Sequence, residues 1–244
     1  KHNFFVNFLN KVNIFINSLL EKKLNKLNFL FEAEKLLTFF SFKRIIGFII
    51  VLLFIIFSYL FIPYTYNGNK LATKIQNQLF TDLGINLNLS NNFTYNLFPK
   101  PNFVFQEIEF INATKKFADI KEMKTYVSFK NLFSVNKINI ENIVLNKVNF
   151  NVNKNNYKFF TNILNKNLSN FNFIINNSSI AFKNIENDVL FINKINQLKY
   201  FFDSKDKKNT LISKNEIFNI PYTAEFKDYP DEKKIISKID FNFL

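Results

Sequence analysis

The sequence contains one uninterrupted apolar run, residues 45–62, in which no side chain is charged and only Ser58 is more polar than tyrosine. As an α-helix, this run would be roughly 27 Å long, close to the hydrocarbon thickness of a bilayer. A core helix of a soluble domain normally keeps a polar stripe, and a cleaved signal peptide has a shorter apolar region that ends near small residues. We therefore predict a retained transmembrane helix at residues 45–62.

The basic residues predict how this helix is oriented. Residues 1–44 contain eight lysines and arginines and three glutamates, and Lys43 and Arg44 directly flank the apolar run. Positive residues close to a span stay on the cytoplasmic side. The sequence thus predicts a single-pass protein with a cytoplasmic segment, residues 1–44, and a domain on the other side of the membrane, residues 63–244.

The segment before the apolar run has its own pattern. Apolar side chains recur at helical spacing, as at Phe8, Val12, Phe15 and Leu19. This spacing predicts one or two amphipathic helices, which either lie at the cytoplasmic membrane interface or belong to an upstream domain. Because the chain begins at Lys1 and stops at Leu244 within a strand-like pattern, we expect it to be a fragment of a longer protein.

The composition disfavours several classes of function. The net charge is +13, yet Arg44 is the only arginine, and the bidentate guanidinium is the group that specific nucleic-acid recognition uses most. The chain has no cysteine, and its single histidine is His2, so thiolate metal sites, cysteine nucleophiles and histidine-based triads are disfavoured. We expect no enzymatic activity, no metal and no cofactor, and membrane phospholipids rather than nucleic acid as partners.

A short helix is predicted directly after the apolar run. Its apolar side chains are spaced four residues apart, Asn69 is the expected N-cap, and Gly84 is the expected left-handed terminator. The residues on its apolar face are Leu71, Ile75, Leu79 and Leu83.

From Gly84 onward the apolar period changes from about four to two, which predicts strands. The first would cover residues 85–97, with an interruption near Asn91, and residues 99–101 would form a turn. A bulge is expected near Gln106, where the apolar alternation changes phase. Because no βαβ rhythm is evident, we expect antiparallel meanders. The remaining predicted strands are residues 103–111, 120–129, 138–152, 171–175, 180–182, 189–192, 198–202, 217–226 and 235–243, with a short helix at 157–165.

The order of these elements resembles the AsmA family of envelope proteins. The resemblance is carried by Leu83-Gly84-Ile85, by the proline corner at residues 93–103, and by weaker matches up to Leu164. It implies a mainly β fold with helices, in which a transmembrane helix precedes a curved, groove-like antiparallel sheet of the chorein type. It also implies a protein of the bacterial inner membrane with a periplasmic domain.

The function implied by this resemblance is envelope maintenance through phospholipid transfer along an apolar groove. The candidate groove lining is the apolar set of the first strands: Ile85, Leu87, Leu89, Phe93, Tyr95, Leu97, Phe103 and Phe105. The same residues are equally well explained as the core face of a sheet. Two alternatives remain open, namely a non-enzymatic scaffold that assists outer-membrane protein assembly together with other envelope proteins, and a sensory or secretion component.

Overall fold

The structure, a computed structural model, describes residues 10–11, 13–18, 42–112, 115–164 and 171–241. The chain divides into two compact units, Lys1–Tyr59 and Leu60–Leu244. The first unit is helical wherever it is described, and the second contains a large β-sheet with two helices.

Helix α1, Phe42–Phe61, contains the apolar run. Residues Ile45–Thr65 are long and apolar enough to cross a membrane, with a mean hydropathy of 3.1, and none of the most apolar stretch is buried. The side chains of Lys43 and Arg44 lie outside the described part of the structure. Most of the predicted N-terminal amphipathic helices also fall outside it, although residues 10–11 and 13–18 are helical.

Helix α2, Gly68–Leu83, opens the second unit. Its predicted apolar face is fully buried, and Gly84 ends it in the left-handed conformation at φ 71°. The N-cap, however, is Asn67 rather than Asn69: the Lys70 backbone N–H donates to Asn67 Oδ1 over 3.2 Å. Asn67 has the extended backbone that a cap requires, whereas Asn69 is already helical.

Ten strands form one open sheet. They are β1 Leu87–Asn88, β2 Thr94–Asn96, β3 Asn102–Asn112, β4 Lys115–Val127, β5 Ile140–Val152, β6 Asn172–Lys183, β7 Val189–Asp203, β8 Lys208–Ile217, β9 Ile220–Tyr229 and β10 Lys234–Phe241. From β3 to β10 neighbours in the sheet are also neighbours in the chain, and β1 and β2 both pair with β3. Helix α3, Tyr157–Leu164, lies between β5 and β6 in sequence.

The sheet is mixed, which corrects the prediction of a purely antiparallel one. Strands β5 and β6 are parallel, with Ile143 opposite Phe173 and Phe150 opposite Ile180. The segment between these strands contains α3 and is long enough for the crossover that a parallel pair needs. The sequence predicted this helix. Neither the apolar run before it, residues 138–152, nor the two short runs after it, residues 171–175 and 180–182, indicated a βαβ unit.

Several strands are longer than their apolar patterns suggested. Residues 171–175 and 180–182 belong to the single strand β6, and residues 189–192 and 198–202 belong to β7. Strand β8 was missed in the sequence analysis, because the residues of this strand that face the core are largely polar. The run predicted at residues 217–226 begins at the last residue of β8, crosses the β8–β9 turn and continues into β9. The first predicted strand is broken into β1 and β2 around Asn91, as the interruption there suggested.

One irregularity crosses five neighbouring strands at the same level. Its members, which we call the phase-shift line, are Glu107, Lys121, Lys147, Asn177 and Asn196. On either side of this line the core-facing side chains occupy every second position, but at the line two successive residues face away from the core, so the core-facing positions change phase. Three members have positive φ, namely Glu107 at 53°, Lys147 at 55° and Asn177 at 49°. The change of phase predicted near Gln106 is the first part of this line, but it is not the expected bulge: the register of β3 against β4 is the same on both sides of it, and the shift lies between Phe110 and Ile111.

Gly68 makes a testable contribution to the fold. A Cβ at this position would lie 1.9 Å from the carbonyl oxygen of Asn91 in the segment between β1 and β2. Gly68→Ala should therefore force this backbone away from α2 and destabilise the second unit by roughly 2–3 kcal/mol, as overpacking of a rigid contact does. Thermal unfolding followed by circular dichroism of the full chain in detergent would measure the loss.

Asn69→Ala is the matched control, since this neighbouring side chain is exposed and does not cap the helix. It should leave the unfolding temperature essentially unchanged. Equal stability of the Gly68→Ala variant and the wild type would show that α2 and Asn91 are not in close contact.

Candidate functional site

Helix α3 packs on one face of the sheet through aromatic rings. Phe159 contacts Phe110 and Phe117 edge to face at ring-centroid distances of 5.4 Å each. Phe160 contacts Phe150 in the same manner at 5.9 Å. We call the face on which α3 lies the inner face and the opposite one the outer face. The aromatic contacts fix α3 on the inner face of β3, β4 and β5.

An apolar cavity of about 340 Å³ lies on the inner face beside α3. Its volume is at the lower end of the range for small-molecule pockets, roughly 300–1,000 Å³, enough for an acyl chain but not for a whole phospholipid. Almost every lining side chain is hydrocarbon or aromatic. The lining comprises Ile85, Leu87, Phe110, Leu145, Phe150, Val152, Tyr157, Phe160, Thr161, Ile163, Phe173, Ile175, Ile180, Phe182, Ile195, Leu198, Tyr200 and Leu211.

The sheet itself explains why this space is apolar. Residues directly opposite each other on paired strands share a face, and the pairs Ile175–Leu198 and Phe173–Tyr200 bring apolar groups of β6 and β7 together there. Tyr157, whose side chain is 46 % exposed, and Thr161 connect the cavity with solvent. The arrangement can bind an apolar chain that enters along α3.

Polar side chains replace apolar ones on the inner face immediately beyond the cavity. Ser213 lies opposite the cavity residue Leu198, and Asn215 lies opposite Ile195. Asn215 Nδ2 donates to Ser213 Oγ over 2.7 Å, and Tyr222 Oη donates to Asn193 Oδ1 over 3.0 Å. The amides and the serine are buried. The inner face therefore offers hydrogen-bonding groups next to the apolar space, as an amphiphile with a polar part would need.

Tyr200 lies in the cavity wall with its side chain almost entirely buried. Burial and, to a smaller extent, the negative charge of Asp228 raise the pKa of its phenol far above the ordinary value of 10.0. Tyr222 also has a raised pKa because it is partly buried, although its hydrogen bond to Asn193 acts in the opposite direction. Both phenols are therefore uncharged at neutral pH.

The outer face contrasts with the inner one. Where β5 and β6 run in parallel, amide side chains of equal register bond across the pair: Asn172 Nδ2 to Asn142 Oδ1 at 2.7 Å, and Asn176 Nδ2 to Asn146 Oδ1 at 3.2 Å. Asn146 in turn donates to Glu122 Oε1 over 2.7 Å on β4. Along β4 to β6 the outer face thus carries a ladder of hydrogen-bonded polar side chains, in contrast to the apolar inner face.

The eight candidate lining residues are found in two places. Ile85 and Leu87 line the cavity. The other six lie around the first strands, where Phe103 and Phe105 are completely buried and Phe93 contacts Phe103 at a centroid distance of 5.4 Å. This second group also contains Leu89 and Tyr95, which are buried, and Leu97, which is half-buried. Most of these six side chains are thus packed against one another or buried at the first strands and do not line the cavity.

Most of the cavity residues were not among the candidates. Apart from Phe110 on β3, they lie on β5 to β8 and on α3, beyond the strands to which the sequence analysis assigned the groove. The signal that could have identified them is the apolar set of the 157–165 helix, since Phe159, Phe160 and Ile163 occupy one side of it. An amphipathic helix with this much aromatic surface needs an apolar partner, and the following strands provide it.

Groups for catalysis or metal binding are scarce in the described part of the chain. No cluster of three or more histidine, cysteine, aspartate or glutamate side chains lies close enough to hold a metal ion there. A comparison with protein-family models gives no match for this chain, and neither does a comparison with curated proteins. The geometry of the cavity is therefore the basis for the functional argument.

The raised pKa of Tyr200 predicts an alkaline instability of the folded protein. Because the folded state retains this phenolic proton at pH values at which the unfolded chain has lost it, the free energy of unfolding should fall as the pH rises above about 10. Tyr200→Phe should make that fall less steep. Urea unfolding of both proteins over an alkaline pH series would test this, and identical slopes would contradict it.

Proposed function

We propose that this chain is a membrane-anchored lipid-binding protein of the cell envelope, which takes an acyl chain into the cavity of the inner face during phospholipid transfer. The cavity is the single observation that carries this proposal. Each methylene group removed from water contributes about 0.8 kcal/mol, so a chain of ordinary length could be held without any charged contact. The polar groups at Asn193, Ser213 and Asn215 would then face the more polar part of the lipid.

The proposed location in the cell follows from the apolar helix α1. A helix with the length and hydropathy of α1 supports insertion in a bilayer, and the lysines before it favour a cytoplasmic N-terminus. The proposed protein is thus a single-pass protein of the bacterial inner membrane with its sheet in the periplasm, of the kind that the resemblance to the AsmA family implies. An open sheet with an apolar cavity on its inner face agrees with that proposal.

The orientation can be measured with single cysteines, because the native chain has none. In intact cells whose outer membrane has been made permeable, Phe218→Cys should react with a membrane-impermeant maleimide. Asn17→Cys should react only after the inner membrane is opened. Both positions have described and accessible or partly accessible side chains. The reverse labelling pattern would place the sheet in the cytoplasm and end the periplasmic proposal.

Lipid binding can be tested by placing a charge in the cavity wall. Leu198→Asp puts a carboxylate beside the space that the acyl chain would fill, at a half-buried position where the side chain can remain hydrated in the empty protein. Desolvating a carboxylate costs several kcal/mol, and each 1.4 kcal/mol corresponds to a factor of about ten in affinity. Phospholipid recovered with the purified protein should fall at least about tenfold, as measured by mass spectrometry.

Ile212→Asp is the matched control, since Ile212 is an exposed residue on the outer face of the neighbouring strand β8. It should retain the lipid of the wild type. If Leu198→Asp fails to fold, Leu198→Trp reduces the cavity without a charge and should lower lipid recovery in a folded protein. Full lipid recovery by either folded Leu198 variant, or a wild-type protein that is purified empty, would overturn the proposal.

One observation favours the alternative role as an assembly scaffold. All eight residues of β10 are exposed, and no described strand covers the side of β10 that faces away from β9. Such an edge can accept an additional strand from another protein. A scaffold of this kind would be purified without lipid and would lose partner binding when a proline replaces Ser237, whereas Leu198→Asp would leave its function intact.

A further inference from the structure

Three segments of the second unit lie close together at one end of the sheet. They are Leu60–Tyr66, the β2–β3 turn at residues 97–101, and the β4–β5 connection at residues 128–139, and we call them together the anchor end. Leu60 and Phe61 are the last residues of α1 and already belong to this unit. The chain therefore passes directly from the apolar helix into the anchor end.

Specific contacts connect these segments. Tyr95 Oη donates to the Leu60 carbonyl over 3.1 Å, and Tyr66 Oη donates to the Leu132 carbonyl over 2.5 Å. The ring of Tyr64 contacts that of Tyr95 edge to face at 5.0 Å. The residues that follow α1 are thus bonded to the end of β2, directly before the 97–101 turn, and to the β4–β5 connection, and they do not form a free linker. Within the second unit, Leu60, Tyr64 and Tyr66 thus lie in direct contact with the anchor end.

The anchor end presents aromatic side chains to solvent. Phe98 is 82 % exposed, and Phe61, Tyr64, Phe129 and Phe133 are each exposed by half or more. Isolated exposed apolar residues are ordinary, but five aromatic residues on adjoining segments need an apolar environment. Aromatic rings are the side chains that membrane proteins place at the level of the lipid headgroups.

The charge of the same region is strongly positive. Its segments and the first turns of α2 contain five lysines and no carboxylate: Lys70, Lys74, Lys100, Lys130 and Lys137. The nearby Glu141, at the start of β5, pairs with Lys100. Helix α2 adjoins the 135–137 turn, so its lysines extend the same surface. At the opposite end of the sheet, the turn at residues 184–188 carries Glu186 and Asp188 and no lysine. That turn is thus negative, unlike the three segments of the anchor end.

We propose that the anchor end is a membrane-contacting surface, in which Phe98, Phe129 and Phe133 insert at the interface of the bilayer that holds α1 while the lysines contact anionic headgroups. This inference rests on the proposed anchoring of α1 but not on lipid transfer. The occupant is the bilayer itself, because the chain enters the surface from α1 and the surface has the charge that anionic lipid attracts. The sheet would then rest on the membrane with its anchor end.

The absence of tryptophan from the native chain allows a direct test. Full-length protein carrying Phe98→Trp or Phe133→Trp is reconstituted in vesicles that contain phosphatidylglycerol and lipids brominated near the headgroup. The introduced indole should lose about half or more of its fluorescence relative to unbrominated vesicles, because bromine quenches only groups at the same depth. Emission should also shift to shorter wavelength.

Phe218→Trp is the matched control, an equally exposed phenylalanine in the β8–β9 turn at the opposite end. Its indole should not be quenched. Phe54→Trp, within α1, reports on the anchor separately through lipids brominated deep in the acyl chains. Quenching at position 54 without quenching at 98 or 133 would overturn the membrane-contacting surface alone, whereas no quenching at position 54 would overturn the anchoring as well. Equal quenching at 98 and 218 would also reject the proposal, since contact would then not be specific to the anchor end.

Discussion

The requirement that determines this fold is that apolar side chains stay on one face of strands up to fifteen residues long. Side chains alternate between the two faces of a strand, so a shift of the pairing register by one residue would move the whole apolar set of a strand of that length to the other face. The phase-shift line divides the sheet into two zones, each with its own alternation, and every strand from β3 to β7 changes phase at the same level. The left-handed backbone at Glu107, Lys147 and Asn177 costs about 1 kcal/mol or more each, which the continuous inner face must offset.

This shared irregularity explains which parts of the fold the sequence predicted. Helix α2 was predicted correctly, because the apolar residues from Leu71 to Leu83 recur on one face of the helix and Gly84 ends it. In the sequence analysis β6 and β7 were each divided into two strands, because a change of phase at Asn177 or Asn196 resembles the end of one strand and the start of another.

The parallel pairing of β5 and β6 is also visible in the sequence. Residues 142–146 read Asn-Ile-Val-Leu-Asn, and residues 172–176, which lie beside them in register, read Asn-Phe-Ile-Ile-Asn. The similarity between these segments indicates adjacent strands with the same orientation, but it cannot be seen from hydrophobic periodicity alone.

The candidate site was less predictable than the fold. The alternation of apolar and polar residues shows on which face of the sheet a side chain lies, but not what covers that face. Phe103 and Phe105 have the same pattern as Ile175 and Leu198, yet the first two are sealed in the core and the others border a cavity. The difference comes from the crossover helix, whose position depends on the pairing of β5 with β6. Ile85 precedes β1 and Leu87 begins it, and both border the cavity next to Phe110, the pairing partner of Leu87.

The position of α3 also limits how a lipid could move on this sheet. Around β3 and β4 the inner face is closed, since Phe105, Ile120 and Met123 are almost completely buried. Beyond α3 the apolar surface opens again in the cavity and then gives way to Asn193, Ser213 and Asn215. Within the described residues the inner face is thus a bounded apolar space with a closed side and a polar side, not a uniform channel. A protein that transfers phospholipid with such a unit would hold one acyl chain at a time beside α3, and the polar side of the cavity would set the direction from which the headgroup approaches.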